Sequence, residues 1–182
     1  MISVIVPTYN EEANIAACLE SLTNQTLDRG EYEIIVVDGN SKDRTRELAE
    51  PYADIVMIQT SKRVAGARND GVMRAKGEIV ATTDADCIMP KNWLEVIRSD
   101  FKSYDIVQLY GTVYPREQGL KNRCSLIGAN TFARLGYYTG TLYFTLGCNT
   151  AFKKDAFIHA GMYRVMDAGD DLEIARRMRK LG

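Results

Sequence analysis

The sequence predicts an α/β fold with a mostly parallel sheet and helices on both faces, and three observations carry the prediction. Short β-branched runs alternate with amphipathic helical stretches through the first half of the 182 residues. The runs are nearly continuous Val and Ile, as strands covered on both sides should be. Acidic or polar residues follow several of these runs, and open α/β sheets bind ligands beyond the carboxyl ends of their strands.

Strands are expected at Ser3–Val6, Glu33–Val37, Ile55–Ile58 and Glu78–Thr82, with helices between them over about Ala13–Leu22, Asp43–Pro51 and Ala65–Ala75. In the first helix Ile15, Cys18, Leu19 and Leu22 recur at helical spacing and form one apolar stripe. A helix over about Lys91–Lys102 leads to a strand over Asp105–Gly111. A Pro-containing turn, a helix near Gly119–Leu135 and a strand within Leu142–Phe152 follow, and a short helical stretch carries His159. The last element is a helix over Asp171–Leu181, acidic in its first turn and basic in its last, which complements the helix dipole. No linker or repeat divides the chain, so 1–182 reads as one domain with halves of about 1–103 and 104–182.

Composition removes several classes of function. Lys and Arg total 23 against 24 Asp and Glu, so the basic excess of a nucleic-acid-binding protein is missing and no nucleic-acid partner is expected. Cys18, Cys87, Cys124 and Cys148 lie far apart beside a single histidine, His159, which speaks against a structural zinc site and a disulfide framework. Reduced thiols, and no leader ahead of the apolar run Ile2–Val6, point to a cytoplasmic protein. Gly, Thr and Asn interrupt the uncharged stretch Leu135–Phe152, and a membrane-spanning helix needs about 20 predominantly apolar residues. Its aromatics Tyr137, Tyr138, Tyr143 and Phe144, with the basic Arg176, Arg177, Arg179 and Lys180, suit peripheral contact with the inner face of a membrane or a lipid-linked substrate. Ordinary core packing is the alternative for the aromatics.

The strand ends hold the candidate chemistry. Past the first strand comes Pro7-Thr8-Tyr9-Asn10-Glu11-Glu12, past the second Asp38-Gly39-Asn40-Ser41-Lys42-Asp43, and past the fourth Asp84-Ala85-Asp86. Asp84 and Asp86 are two residues apart on nearly extended chain, so both carboxylates can face one side and offer oxygen to Mg²⁺ or Mn²⁺. Capping of the helix beyond Pro90 is the alternative for Asp86. Asp38 could accept hydrogen bonds from a ribose hydroxyl or a base N–H. A dinucleotide fold also places an acid there, but no GxGxxG occurs in the chain. The glycines of Gly66-Ala67-Arg68-Asn69-Asp70-Gly71 are followed by Val72 and Met73, where a phosphate-binding loop requires Lys and Ser or Thr. Arg68 could contact a diphosphate, hold a rim carboxylate, or lie exposed on its helix. Asp170, Asp171 and Glu173 open the final helix, where acids either complement the dipole or supply a general base.

Five ordered blocks resemble family 2 glycosyltransferases, whose fold is GT-A, a Rossmann-like sheet. They are SVIVPTYNEEANI, EIIVVDGNSKDRT, AGARNDGVMRAKGEIVATTDADC, LGCNTAFKKDAFIHAGMY and GDDLEIARRMRKLG, and they cover nearly the whole chain. The resemblance implies that Pro7, Tyr9, Glu11 and Asp38 hold the nucleotide, that Asp84 lies by the ribose and that Arg68 lies near the diphosphate. It implies Asp86 as ligand to Mn²⁺ or Mg²⁺, and Gly147, Cys148 and Asn149 as the loop lining donor sugar and acceptor. It makes Asp170-Asp171 the acidic pair, with Asp171 the general base of an inverting, metal-dependent transfer from a nucleotide-diphosphate sugar to a hydroxyl or phosphate of a glycan or lipid-linked acceptor.

Two departures accompany the resemblance. Asp38-Gly39 stands where many members have two consecutive acids. Members usually continue past the acidic helix with another strand and sometimes with membrane helices, whereas Gly182 stands soon after that helix begins. Three rival readings remain. A sugar nucleotidyltransferase would carry a Gly-rich basic loop in place of PTYNEE, and a haloacid-dehalogenase-type phosphatase would carry its DxD on the first strand. A sugar-nucleotide-binding module without turnover would bind donor and leave it intact.

Overall fold

Ile2–Thr8 forms β1 and all seven residues are buried, as a strand covered on both faces requires. The computed structural model describes residues 1–114, 127, 128, 130, 131, 135, 138, 147–166 and 169–181. The elements after β1 are α1 (Ile15–Thr23), β2 (Tyr32–Asp38), α2 (Thr45–Ala49), β3 (Ile55–Ile58), α3 (Arg63–Arg74) and β4 (Ile79–Thr82). Then come α4 (Trp93–Ser103), β5 (Gln108–Tyr110), β6 (Thr150–Lys153), α5 (Lys154–His159) and α6 (Asp170–Met178). They confirm the α/β class. The helix expected near Gly119–Leu135 lies largely outside the described residues, although 127, 128, 130, 131 and 135 are helical.

One six-stranded sheet runs in the order β3-β2-β1-β4-β6-β5 and takes strands from both halves of the chain. β1 pairs in parallel with β2 and β4, and β2 with β3, whereas β6 is antiparallel to β4 and β5. Alternate strand residues feed two cores, as the two-residue period demands. Ile2, Val4, Val6, Ile34 and Val36 face α1 and α4, meeting Ile15, Leu19, Leu22 and Leu94. Ile5, Ile35, Val37, Val80 and Phe152 face α3, α5 and α6, meeting Val72, Phe157, Ile174 and Met178. Each such aliphatic side chain taken from water contributes about 1.5–3 kcal/mol. The stripe Ile15, Cys18, Leu19 and Leu22 is buried throughout.

Two expectations change. The fifth strand shrinks from Asp105–Gly111 to Gln108–Tyr110. Within Leu142–Phe152, residues 142–146 lie outside the described set, and Gly147–Asn149 forms a 3-10 turn before β6. The turn is fixed because the Gly147 carbonyl accepts from Thr82 Oγ1 and Asn149 is held from both sides, as given below. Among the described residues no helix is long and apolar enough to cross a membrane.

Candidate active site

Strand register gathers the site. Thr8 pairs with Asp38 at the ends of β1 and β2, Asp38 pairs with Ile58 at the end of β3, and the Gly39 N–H donates to the Thr8 carbonyl at 2.8 Å. β4 ends at Thr82, so Asp84 and Asp86 follow at the same rim. β6 is antiparallel, with Thr150 opposite Thr82, so the residues before it, Gly147–Asn149, reach that rim.

A cleft of about 620 Å³ lies there, lined among others by Pro7, Thr8, Tyr9, Glu11, Gln59, Arg68, Asp84, Asp86, Asp170 and Asp171. Eight residues singled out from the sequence thus share one concavity. The loops after β1 and β2 are tied together. The Asn10 N–H donates to Ser41 Oγ, the Lys42 N–H to Asn10 Oδ1 and the Glu11 N–H to Thr45 Oγ1, each at 2.8 Å. Glu11 accepts from Asn14 Nδ2 at 2.9 Å. Asn10 and Asn40 adopt the left-handed conformation, which asparagine tolerates.

Arg68 is the buried centre of the site. It is 3% exposed on α3, and it donates through Nη2 to Asp84 Oδ1 at 2.7 Å and through Nη1 to Asp171 Oδ1 at 3.3 Å. Burial works against its charge, but Tyr163, Asp84 and Asp171 outweigh burial and its pKa is raised. Of the three roles open to Arg68 in the sequence, the structure shows it holding rim carboxylates.

Asp171 lies in the first turn of α6, whose N-cap is Gly169, and no side chain caps the helix. Its Oδ2 accepts from the Gly147 N–H at 3.0 Å. Burial is the largest influence and pushes its pKa up. Asp170 adds to the rise, while Arg68 and the Gly147 N–H oppose it. A well-placed carboxylate with raised pKa in a cleft is suited to accept a proton. A side chain on Gly147 would run into the Arg68 guanidinium, so only glycine lets the turn approach this closely.

Asp86 is exposed and, among the described residues, has no cationic partner. It does not cap α4, whose N-cap is Asn92. Asp86, whose Oδ1 accepts from Cys87 Sγ at 3.6 Å, stands at the mouth of the cleft and fits Mg²⁺ or Mn²⁺, which combine one or two protein carboxylates with substrate phosphates and water. No group of three ligating side chains occurs among the described residues, so such an ion would depend on substrate oxygens. Two buried polar atoms of residues that line the cleft, Thr8 Oγ1 and Arg68 Nε, lack a partner among the described residues.

Two predicted groups lie elsewhere. Asp38 is fully buried and is not part of the cleft lining. One of its carboxylate oxygens accepts from the Ser41 hydroxyl. The other accepts from the Ser41 N–H at 2.8 Å and lies 3.5 Å from Arg46 Nε. Gly147 is buried behind Arg68, and Cys148 and Asn149 line a second cleft of about 810 Å³, which shares Asp84 and Asp86 with the first. Asn149 accepts from Trp93 Nε1 at 2.9 Å and donates to the Thr112 carbonyl at 3.0 Å. Cys87, on the same wall, is lowered in pKa by its hydrogen bond with Cys148, which is raised in turn. Of the basic residues near the C-terminal end, Arg177 is turned inward onto Glu173 and the Met162 carbonyl, while Arg176, Arg179 and Lys180 are exposed.

Sequence reasoning passed over Gln59, which follows β3 at the position where the strand-end rule should have pointed. It also passed over Tyr163, whose backbone Asn69 clamps through bonds of 2.8 and 3.0 Å and whose ring lies 5.8 Å from the Arg68 guanidinium carbon.

The fold is that of an α/β protein with an acidic cleft at its strand ends. The family model described as glycosyl transferase family 2 matches residues 3–161, and the chain belongs to that family. Glycosyltransferase AglE of Haloferax volcanii is 38% identical over 100 residues, which are 52% of this chain and 33% of that protein. The Escherichia coli protein named UDP-Glc:alpha-D-GlcNAc-diphosphoundecaprenol beta-1,3-glucosyltransferase WfgD is 33% identical over 115 residues, 61% of this chain and 45% of that one. Among solved structures, a mannosyltransferase from Pyrobaculum calidifontis in complex with GDP-Man and Mn²⁺ superposes with a TM-score of 0.76 at 27% identity. That match covers 100% of this chain and 52% of the other. The chain therefore spans about half or less of the length of these relatives.

Proposed function

We infer that the protein transfers a sugar from a nucleotide-diphosphate donor to an acceptor hydroxyl with inversion, aided by a divalent cation. The observation that carries the reading is the Arg68 bridge, which fixes the first acid of the DxD and the candidate base on one cleft. Family membership and the likeness to a protein solved with GDP-Man and Mn²⁺ support it.

In this reading Pro7, Tyr9 and Glu11 form the nucleotide side of the cleft, and Asp84 faces the ribose. Asp38 acts from below by holding Ser41, which in turn holds the Asn10 backbone. Asp86 binds Mn²⁺ or Mg²⁺, which would offset the charge of the departing diphosphate. Asp171 orients the acceptor hydroxyl and takes its proton as the oxygen bonds to the anomeric carbon. The bond from that carbon to the diphosphate oxygen breaks on the opposite face, and nucleoside diphosphate leaves. Asp170, beside Asp171, keeps the pocket acidic. The hydroxyl acidifies only as the new bond forms, so a carboxylate suffices as base once it is positioned.

In this reading Cys148 and Asn149, on the second cleft, line the side from which donor sugar and acceptor approach, and Gly147 holds Asp171 at the first cleft through its N–H. The name of the Escherichia coli relative supports a lipid-linked acceptor. Exposed Arg176, Arg179 and Lys180 would meet anionic lipid at the inner membrane face, and flotation with anionic liposomes at low salt tests that contact.

The test of function is a panel of UDP- and GDP-sugars with and without Mn²⁺, followed by calorimetry and by release of nucleoside diphosphate. Cation-dependent binding with slow donor hydrolysis is expected. Binding without any turnover under every acceptor condition would favour the binding module, and no binding at all would sink the reading.

A further inference from the structure

Two thiols far apart in sequence meet on the wall of the second cleft, and strand register brings them there. Thr150 lies opposite Thr82 where β6 runs antiparallel to β4, and the Thr82 hydroxyl donates to the Gly147 carbonyl at 2.5 Å. Cys148 therefore stands beside the chain that leaves β4. That chain turns back at once, because the Cys87 N–H donates to the Asp84 carbonyl at 3.1 Å. The Cys87 and Cys148 side chains share a hydrogen bond, both are half-buried, and both line the second cleft. Each is a free thiol. Cys18 differs, being fully buried, bonded to the Asp84 carbonyl at 3.5 Å and absent from the lining of both clefts. The transfer reaction gives the Cys87 and Cys148 thiols no task.

We propose that Cys87 and Cys148 form a reversible dithiol–disulfide site, oxidised by small disulfides that enter the second cleft. One thiol, as thiolate, attacks a sulfur of the small disulfide and releases one small thiol. The other attacks the resulting mixed disulfide at the protein sulfur and releases the second. One S–S bond breaks and one forms, two electrons pass from the pair to the small disulfide, and the two S–H protons end on the two small thiols. Side chains already in contact need little backbone movement to reach disulfide geometry. The bond would tie the loop that carries Asp86 to the turn whose Gly147 N–H holds Asp171. Neither sulfur lines the first cleft, so the site is separate from the cleft assigned to the nucleotide. It belongs to the chain's own thiols and goes beyond the sugar-transfer reading.

The experiment incubates the reduced, folded wild-type chain, without donor, in a series of ratios of glutathione disulfide to glutathione. Remaining thiols are then alkylated under denaturing conditions and the peptides mapped without reduction. The expected result is the loss of two thiols to one joined pair, Cys87 with Cys148, while Cys18 is recovered as a thiol. Dithiothreitol should restore both. In Cys87→Ser and in Cys148→Ser the remaining partner should stop as a mixed disulfide with glutathione, which the wild type resolves because its second thiol is held beside the first. The proposal is overturned if the wild type keeps both thiols free at the most oxidising ratio, if it accumulates glutathione on both without joining them, or if either is joined to Cys18 or Cys124 instead. No sugar donor enters the measurement, so the thiol site and the transfer reading stand or fall separately.

Discussion

Arg68 and Asp171, 103 residues apart in sequence, meet at 3.3 Å across the site, and the same guanidinium holds Asp84 at 2.7 Å. One buried cation therefore sets the spacing between the donor side and the candidate base. This arrangement yields four predictions.

Asp171→Asn keeps the shape of the side chain and removes its capacity to take a proton. Transfer should fall by about 10²–10⁴-fold, the usual contribution of a general base. Donor affinity by calorimetry should stay near the wild-type value. Equal turnover in the variant would remove Asp171 from the reaction.

The raised pKa of Asp171 predicts a pH dependence. Activity requires the ionised form, so the acid limb of the rate profile should lie above the ordinary aspartate value of about 4. Between its unfolded and folded pKa values the native state binds more protons than the unfolded state, so this group lowers stability as pH rises through that window. Asp171→Asn should abolish that component, which denaturant titrations at a series of pH values would measure.

Arg68→Met should strand two carboxylates. Breaking a fully buried pair costs about 3–5 kcal/mol, but Asp84's side chain is 40% exposed, so a loss of about 2 kcal/mol is expected from urea midpoints. Gly147→Ala should press a methyl group into the same guanidinium and cost about 1–3 kcal/mol. Gly128→Ala, where an added Cβ meets nothing within 4 Å among the described residues, is the control and should change stability by less than about 1 kcal/mol.

Asp86→Ala should uncouple donor binding from the cation. Its donor affinity should be the same with Mn²⁺ and with chelator, whereas the wild type should lose affinity when chelator is added. A variant that keeps the full Mn²⁺ response would move the cation site elsewhere.

The contrast between Asp86 and Asp38 shows how far the sequence carries. Both follow apolar strands, and both were candidates on that ground. Asp86 stands at the cleft mouth without a cationic partner among the described residues. Asp38 is withdrawn by Ser41, three residues on, and by Arg46 from α2. The strand pattern before each acid does not distinguish them; the difference lies in the segment that follows, which folds Ser41 and Arg46 back onto Asp38 and brings no cation to Asp86 among the described residues. Gln59 follows β3 at the same rim and was passed over because a neutral amide carries no charge signal; its Nε2 donates to the Ser61 carbonyl at 2.8 Å.

Periodicity and strand-end chemistry determined the alternation of β1 to β4 with their helices, the stripe of α1 and most residues of the cleft. These are local properties, set by side-chain spacing along one segment. The antiparallel entry of β6, the 3-10 turn at Gly147 and the bridge from Arg68 to Asp84 and Asp171 were decided by tertiary structure. Each depends on segments more than ten residues apart meeting in one register, and backbone pairing and charge burial select that meeting only when the sheet is complete.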